Sequence, residues 1–320
     1  MKDALYVKDD FFKSNFFMQR FYFDTVVEIS ICCCINKGND ILNKSFDLCK
    51  YYEELLSKTK KGSDIYNVNN SGIDGFDVND ETLNIIKRSI YYSELSHGNF
   101  DISIQPLLML WNFKNEKNII PNQKDIDGRL KLVNYRDMLV DRNHIKLRKK
   151  GMSIDLGGIA KGYIANKIKE YLISEGISSG IINLGGNVLC IGKKDNGENF
   201  KIGIQKPFSD RGEILGVLEV CDKSVVSSGI YERFFEKEDK IYHHIINPKN
   251  GKPFESDLVQ VTIISADSMD GDALSTIALS LGEEEGIKLI NSIEGIEGIF
   301  INKNGNIRFT ENFKEIFMLN

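Results

Sequence analysis

Residues 270–282 read Asp-Gly-Asp-Ala-Leu-Ser-Thr-Ile-Ala-Leu-Ser-Leu-Gly, DGDALSTIALSLG. Leu274, Ile277, Ala278 and Leu281 recur at the spacing of a buried helical stripe. Strand-like runs at 200–205, 214–220, 224–227, 240–246 and 258–265 precede this helix in series. Strands in series, with helices between blocks, favour an α+β fold over a doubly wound parallel sheet. The expected architecture is therefore mixed or antiparallel sheets with packed helices. The same helix contains a conflict. Asp272 and Thr276 lie four residues apart, so a carboxylate and a hydroxyl share one face of a mostly apolar element.

Outward from this helix, 21–35 (FYFDTVVEISICCCI) reads as a strand and 39–58 as a helix. A loop over 60–75 leads to a second helix with Asn79 as its N-cap. Residues 152–156 read as a strand running into Gly157-Gly158, followed by a helix over 159–174. GIINLGGNVLCIG (180–192) reads as a strand interrupted by paired glycines. A helix near 283–292 and a hairpin turning at Asn304-Gly305 finish the chain. Residues 113–150 are polar and charged and read as a connecting segment, while 1–20 read as an N-terminal extension without order, ahead of one unit over 21–320.

With 42% hydrophobic and 27% charged residues, the composition is that of an ordinary soluble globular protein. A net charge of −5 leaves no broad basic field, which argues against nucleic acid as a partner. No run of about 18 apolar residues occurs, so no transmembrane segment is expected. The start, MKDALYVKDDFFKSNFF, places acids where a signal peptide needs an apolar core. The six cysteines form no CxxC pair and have no zinc-site spacing. Reduced thiols in a cytoplasmic protein are the expectation; a leader missing from the sequence would instead place it outside the cytoplasm, anchored to a membrane.

Four segments carry candidate chemistry. Asp272 and Thr276 offer oxygen ligands suited to Mg²⁺ or Ca²⁺. The plain alternative is an acid favouring the helix N-terminus and a threonine bonded back to a carbonyl. In DLGGIAKGYIA (155–165) the glycines admit close backbone approach, and the helix start with Lys161 suits a phosphate. It is neither a Walker A loop nor GxGxxG. In YHHIINPKNGKP (242–253) the adjacent His243 and His244 point to opposite faces, so one of them can serve a site as general base. Asn99-Phe100-Asp101 after Gly98 offers an aromatic face and polar edges for a flat ring, or a turn that packs its Phe inward. The serines of SVVSSGIYERF (224–234) are further hydroxyl donors. A cation site, a phosphate cradle, a base and a ring pocket together suit chemistry on a dinucleotide.

The order and wording of FDTVVEI, GSDIYNVN, HGNFDISIQPLLMLW, SIDLGGIAKGYIA, INLGGN, VVSSGIYERFF, HHIINPKNGKP and DALSTIALSLG resemble the ApbE family of FAD:protein FMN transferases, over about residues 21–282. The resemblance implies a deep cleft that binds FAD as substrate, and Mg²⁺-dependent passage of FMN to a Ser or Thr hydroxyl of an acceptor protein, with release of AMP. It implies an acceptor bearing a Ser/Thr flavinylation motif, expected in a redox-complex subunit. Asp272 and Thr276 match the family's metal ligands, with a backbone carbonyl at Gly158. Asn99, Phe100, Asp101, Asp155, Lys161 and Ile246 match flavin-nucleotide contacts, and His244 matches the base that deprotonates the acceptor hydroxyl. FAD hydrolysis to FMN and AMP, and FAD binding without turnover, are the alternatives. Three positions depart from the pattern. Phe23-Asp24-Thr25 stands where many members have Met-Gly-Thr, Thr59 where many have a stacking Tyr, and Asn247 where the usual motif has Asp.

Overall fold

Phe23 and Asp24 both hold left-handed backbone angles, φ 55° and 59°, the pair of angles that a two-residue I′ hairpin turn requires. They split the first strand-like run into β1 (Lys13–Tyr22) and β2 (Thr25–Cys34), paired antiparallel without a break from Lys13↔Cys34 to Tyr22↔Thr25. The expected single strand over 21–35 is thus a hairpin. Residues 13–20, placed in an N-terminal extension by the sequence, belong to β1. The computed structural model describes residues 13–113 and 118–319, so the rest of that extension lies outside the described residues.

After the hairpin come α1 (Gly38–Leu56), α2 (Asp64–Asn70), β3 (Phe76–Asp77) and α3 (Asp80–Leu95). α2 occupies the stretch expected to be a loop. Asn79 caps α3 as expected, its side chain accepting from Glu81 N. A 3-10 turn leads into α4 (Gln105–Trp111) and then α5 (Gln123–Leu130), β4 (Met138–Asp141) and β5 (His144–Leu147). The expected connecting segment therefore has structure of its own, with β3, β5 and β4 forming a small sheet. Residues 152–156 run on without strand pairing into α6 (Ala160–Ser174).

The hairpin of β6 (Ser179–Leu184) and β7 (Asn187–Gly192) turns at Gly185 and Gly186, both at positive φ. It replaces the expected interrupted strand. There follow β8 (Phe200–Gln205), β9 (Ile214–Val220), β10 (Ser224–Gly229), β11 (Phe234–Lys237), β12 (Lys240–His243) and β13 (Leu258–Ser265). α7 (Ser268–Leu281) and α8 (Glu283–Asn291) precede β14 (Glu297–Asn302), β15 (Ile307–Phe309) and β16 (Ile316–Leu319).

Eight strands pair antiparallel in the order β1-β2-β6-β7-β10-β13-β14-β15. Helices α1, α6, α7 and α8 pack on this sheet over a core that includes Val27, Ile29, Ile182, Leu189, Val261 and Ile263. The small sheet β8-β9-β16 covers the other face, with Phe200, Ile202 and Leu218 against Val225, Ile264 and Ile299. β13 lies under both layers, and all eight of its residues are buried. Its polar Gln260 and Thr262 are not orphaned. Tyr231 Oη donates to Gln260 Oε1 at 2.7 Å, and Ser227 Oγ lies 2.8 Å from Thr262 Oγ1, as buried polar groups require. Among the described residues no helix is long and apolar enough to cross a membrane.

α6 and α7 approach each other at Gly162, where a Cβ would stand 2.2 Å from the Ser268 carbonyl oxygen and 2.5 Å from Met269 Cα. Both neighbours are backbone, so neither can swing aside. Gly162→Ala is expected to destabilise the fold by about 1–3 kcal/mol, read as a lowered midpoint in urea unfolding. An unchanged midpoint would show that the helices can part freely.

Candidate active site

α7 begins under tight control. Asp267 caps it, Oδ1 accepting from Met269 N at 2.8 Å and from Asp270 N at 3.2 Å. Asn166 of α6 reads the same turn, donating to Asp267 Oδ1 at 2.7 Å and accepting from Ser268 N at 3.0 Å. Asp270 is held by Arg88 and Tyr92 of α3 at 2.7 and 2.5 Å. With Asp267, Asn166 and the Arg88–Tyr92 pair fixing its first turn, α7 can place the next inward side chain accurately.

That side chain is Asp272, 5% exposed, with Oδ2 accepting from Gly162 N at 2.9 Å. Burial pushes its carboxyl above the usual range, while Lys161, the amides of Gly162 and Lys161, and the Asn187 side chain pull the other way. One turn on, Thr276 Oγ1 lies 3.1 Å from Ser228 Oγ, which is also 2.8 Å from Ser275 Oγ. So the conflict inside α7 resolves into two contacts. Asp272 meets the start of α6, and Thr276 meets the end of β10.

The glycine-rich turn before α6 is pinned from two sides. Asp155 N donates to Ile102 O at 2.8 Å, and Asp155 Oδ1 accepts from Gly157 N at 2.6 Å. The other carboxylate oxygen is paired with Lys58, whose Nζ also donates to Gln105 Oε1 at 3.0 Å. A Cβ on Gly158 would stand 3.0 Å from the Phe100 ring, so the turn packs closely against that ring. Asp101 is engaged internally through both oxygens, by Ser103 N and Oγ at 2.8 and 2.6 Å and by Tyr135 N at 2.9 Å. Burial raises its carboxyl, opposed by those three donors. Its visible task is to join the 101–103 turn to residues 134–135.

His243 and His244 part company at the end of β12. His243 is buried, its Nε2 3.0 Å from Phe254 O, and Ile245 N donates to its Nδ1. His244 Nδ1 lies 3.3 Å from Arg233 O. A carbonyl can only accept, so Nδ1 carries the proton and Nε2 keeps its lone pair. Burial, with Arg233, His243 and Lys161 nearby, lowers its pKa to about 4. At neutral pH His244 is an uncharged base.

Ile246 is 5% exposed and packs with Leu107, Trp111, Ile126 and Phe235. Its side chain is taken up by that cluster, which leaves its backbone for any contact with a ligand. Asn247 Oδ1 accepts from Lys249 N at 2.8 Å, so asparagine caps this turn where the family motif carries aspartate. Trp111 Nε1 donates to Gly251 O at 2.7 Å and ties the loop to α4. The loop and α7 flank a recess of about 540 Å³ that Asn99, Asn247, Lys252, Phe254 and Ser280 line.

Lys161 thus acts electrostatically on both Asp272 and His244, and Phe100 packs against Gly158. Asp101 and Ile246 spend their side chains elsewhere. The sequence reading missed Lys58 as the partner of Asp155, and Asn166 and Asn187 behind α7. Ser228 had been marked only as a hydroxyl donor. Among the described residues no three of His, Cys, Asp or Glu gather as a metal cage. The Asp272 carboxylate and the Thr276 hydroxyl stand one turn apart on α7, and oxygen donors of this kind, with the Gly158 carbonyl that the family motif adds, are the chemistry a hard cation takes.

These features define a class: an α+β protein with a neutral histidine at a strand end, and a buried carboxylate that meets a lysine-bearing glycine turn at one helix junction. The chain belongs to the ApbE family, whose model matches residues 23–300. An FAD:protein FMN transferase of Klebsiella pneumoniae (strain 342) is 36% identical over 270 residues, 83% of this chain and 84% of that one. Another, from Treponema pallidum (strain Nichols), is 31% identical over 276 residues, 81% of this chain and 76% of its own. The crystal structure of the ApbE protein from Thermotoga maritima matches with a TM-score of 0.86 at 29% identity, covering 94% of this chain and 98% of that one.

Proposed function

We propose that this protein transfers FMN from FAD to a Ser or Thr hydroxyl of an acceptor protein, in a redox-complex subunit, and releases AMP. The observation that carries this reading is the junction of α6 and α7. There Gly162 N, next to Lys161, donates to the buried Asp272 of α7, and the glycine turn before α6 packs against Phe100, while the charge of Lys161 is felt by the neutral His244 at the end of β12. Relatives that cover most of the chain bear the transferase name.

In this reading His244 Nε2 accepts the proton of the acceptor hydroxyl as its oxygen attacks the FMN-side phosphorus. The bond from that phosphorus to the bridging oxygen breaks, and AMP leaves with the electron pair. Lys161 neutralises charge on the phosphoryl oxygens, and the Gly157-Gly158 turn lets the pyrophosphate approach backbone. Phe100 and Asn99 form part of the wall for the flavin nucleotide. Mg²⁺, held by Asp272, Thr276 and the Gly158 carbonyl, would supply further charge neutralisation on the pyrophosphate.

The test is AMP formation from FAD by the purified protein and an acceptor domain with a Ser/Thr motif, with Mg²⁺ and then with a chelator. AMP that appears with Mg²⁺ and stops with the chelator is expected. AMP at equal rate in both mixtures would remove the cation from the scheme.

A further inference from the structure

Asn187 is the first residue of β7 and only 1% exposed. The Gly185-Gly186 turn, left-handed at both positions, brings the chain round so that this side chain faces the start of α7. Ser268 Oγ donates to Asn187 Oδ1 at 2.7 Å and accepts from Ser224 Oγ at 2.9 Å. In this arrangement the amide oxygen of Asn187 faces Ser268 and the amide nitrogen faces away. Its Nδ2 is buried and makes no hydrogen bond of normal geometry, one of four such side-chain atoms among the described residues. An unpartnered buried donor costs about 1–3 kcal/mol, so it needs an explanation.

The explanation is the neighbouring carboxylate. Ser268, which Asn187 holds, and Asp272 lie four residues apart on α7 and share one face, so the carboxylate stands one turn on from the contact that seats Asn187. Asn187 also favours the ionised form of Asp272. The reverse amide orientation would set a carbonyl oxygen against that carboxylate. Gly162 N holds Asp272 Oδ2 at 2.9 Å, and the Lys161 amide acts on the same carboxylate, so backbone donors hold it from the side of α6.

We infer that Asn187 is a positioning residue for Asp272, its amide donating to the carboxylate and fixing the orientation in which Asp272 takes a divalent cation. Groups behind a metal ligand that orient it typically change metal affinity by about 10–100-fold when removed. The inference rests on the cation reading of Asp272 given above, and the experiment separates the two.

Mn²⁺ binding is measured by electron paramagnetic resonance, with and without FMN, on the wild-type protein and on Asp272→Ala, Asn187→Ala and Ser224→Ala. Ser224→Ala cuts the same buried network one step further from Asp272, so it reports what loss of packing alone does. Asn187→Ala is expected to weaken Mn²⁺ about 10-fold or more, with Ser224→Ala staying close to wild type. Asn187→Ala that binds Mn²⁺ like wild type, or Ser224→Ala that weakens it equally, overturns the inference. Equal binding by wild type and Asp272→Ala would instead overturn the cation reading itself. Should Asn187→Ala not fold, the Asn187 side-chain NH₂ resonances of the wild-type protein are followed as Mg²⁺ is added. A shift that Asp272→Ala abolishes supports the inference, and resonances that do not move contradict it.

Discussion

Asp272→Asn is expected to lower the rate of AMP release from FAD by about 10³-fold or more while the protein stays folded. Removing one preorganised group that stabilises transition-state charge typically costs 10²–10³-fold, and a lost metal ligand removes the cation as well. The fold should survive because asparagine keeps an oxygen to accept from Gly162 N, the donor at 2.9 Å. The α7 cap at Asp267 and the Asp270 contacts to Arg88 and Tyr92 lie outside the change. The readouts are initial rate and urea midpoint, taken on the same preparation. A variant with wild-type turnover would end the assignment of Asp272. One that unfolds would show the carboxylate to be mainly a cap for α6.

His244→Gln is expected to reduce transfer by about 10²–10⁴-fold, the usual contribution of a positioned general base. The pH dependence should be distinctive. With a pKa lowered to about 4, His244 is already in its basic form across neutral pH. The acid limb of kcat/KM, which reports free-enzyme groups, should therefore have its midpoint near 4 and not near 6.5. The same shift has a stability sign. Protonation is disfavoured in the folded state, so the contribution of His244 is present above about 6.5 and lost as pH falls through about 4. Thermal melts of wild type and variant should thus converge as the pH is lowered through that window. An acid limb at 6.5 that persists in His244→Gln would assign the titration to another group.

Much of this site was legible because its signals are local. Asp272 and Thr276 declare themselves by a four-residue spacing, and Lys161 by its place one turn after two glycines. Asn79 announces a helix by its position before an apolar stripe. What stayed hidden depends on chain segments far apart. Lys58 meets Asp155 across 97 residues, and nothing in KTKKG says which lysine turns inward. Asn187 meets Ser268 across 81 residues. The β1–β2 hairpin was read as one strand because Phe23 and Asp24 carry the left-handed angles that glycine or asparagine usually marks. α2 was missed because Asp-Ile-Tyr-Asn-Val-Asn-Asn is short and rich in residues that compete with the helical backbone. Asp101 was placed with the ligand contacts by its motif, yet both of its oxygens join two turns.

In the proposed reaction a protein hydroxyl, not water, accepts the FMN. The most direct measurement is the intact mass of an acceptor domain carrying a Ser/Thr flavinylation motif, after incubation with this protein, FAD and Mg²⁺, with AMP quantified in the same tube. The acceptor is expected to gain the mass of one FMN while one AMP is released per modified acceptor, and both changes are expected to vanish when the acceptor Ser or Thr is replaced by Ala. An acceptor of unchanged mass beside accumulating AMP and free FMN would contradict it and leave an FAD hydrolase.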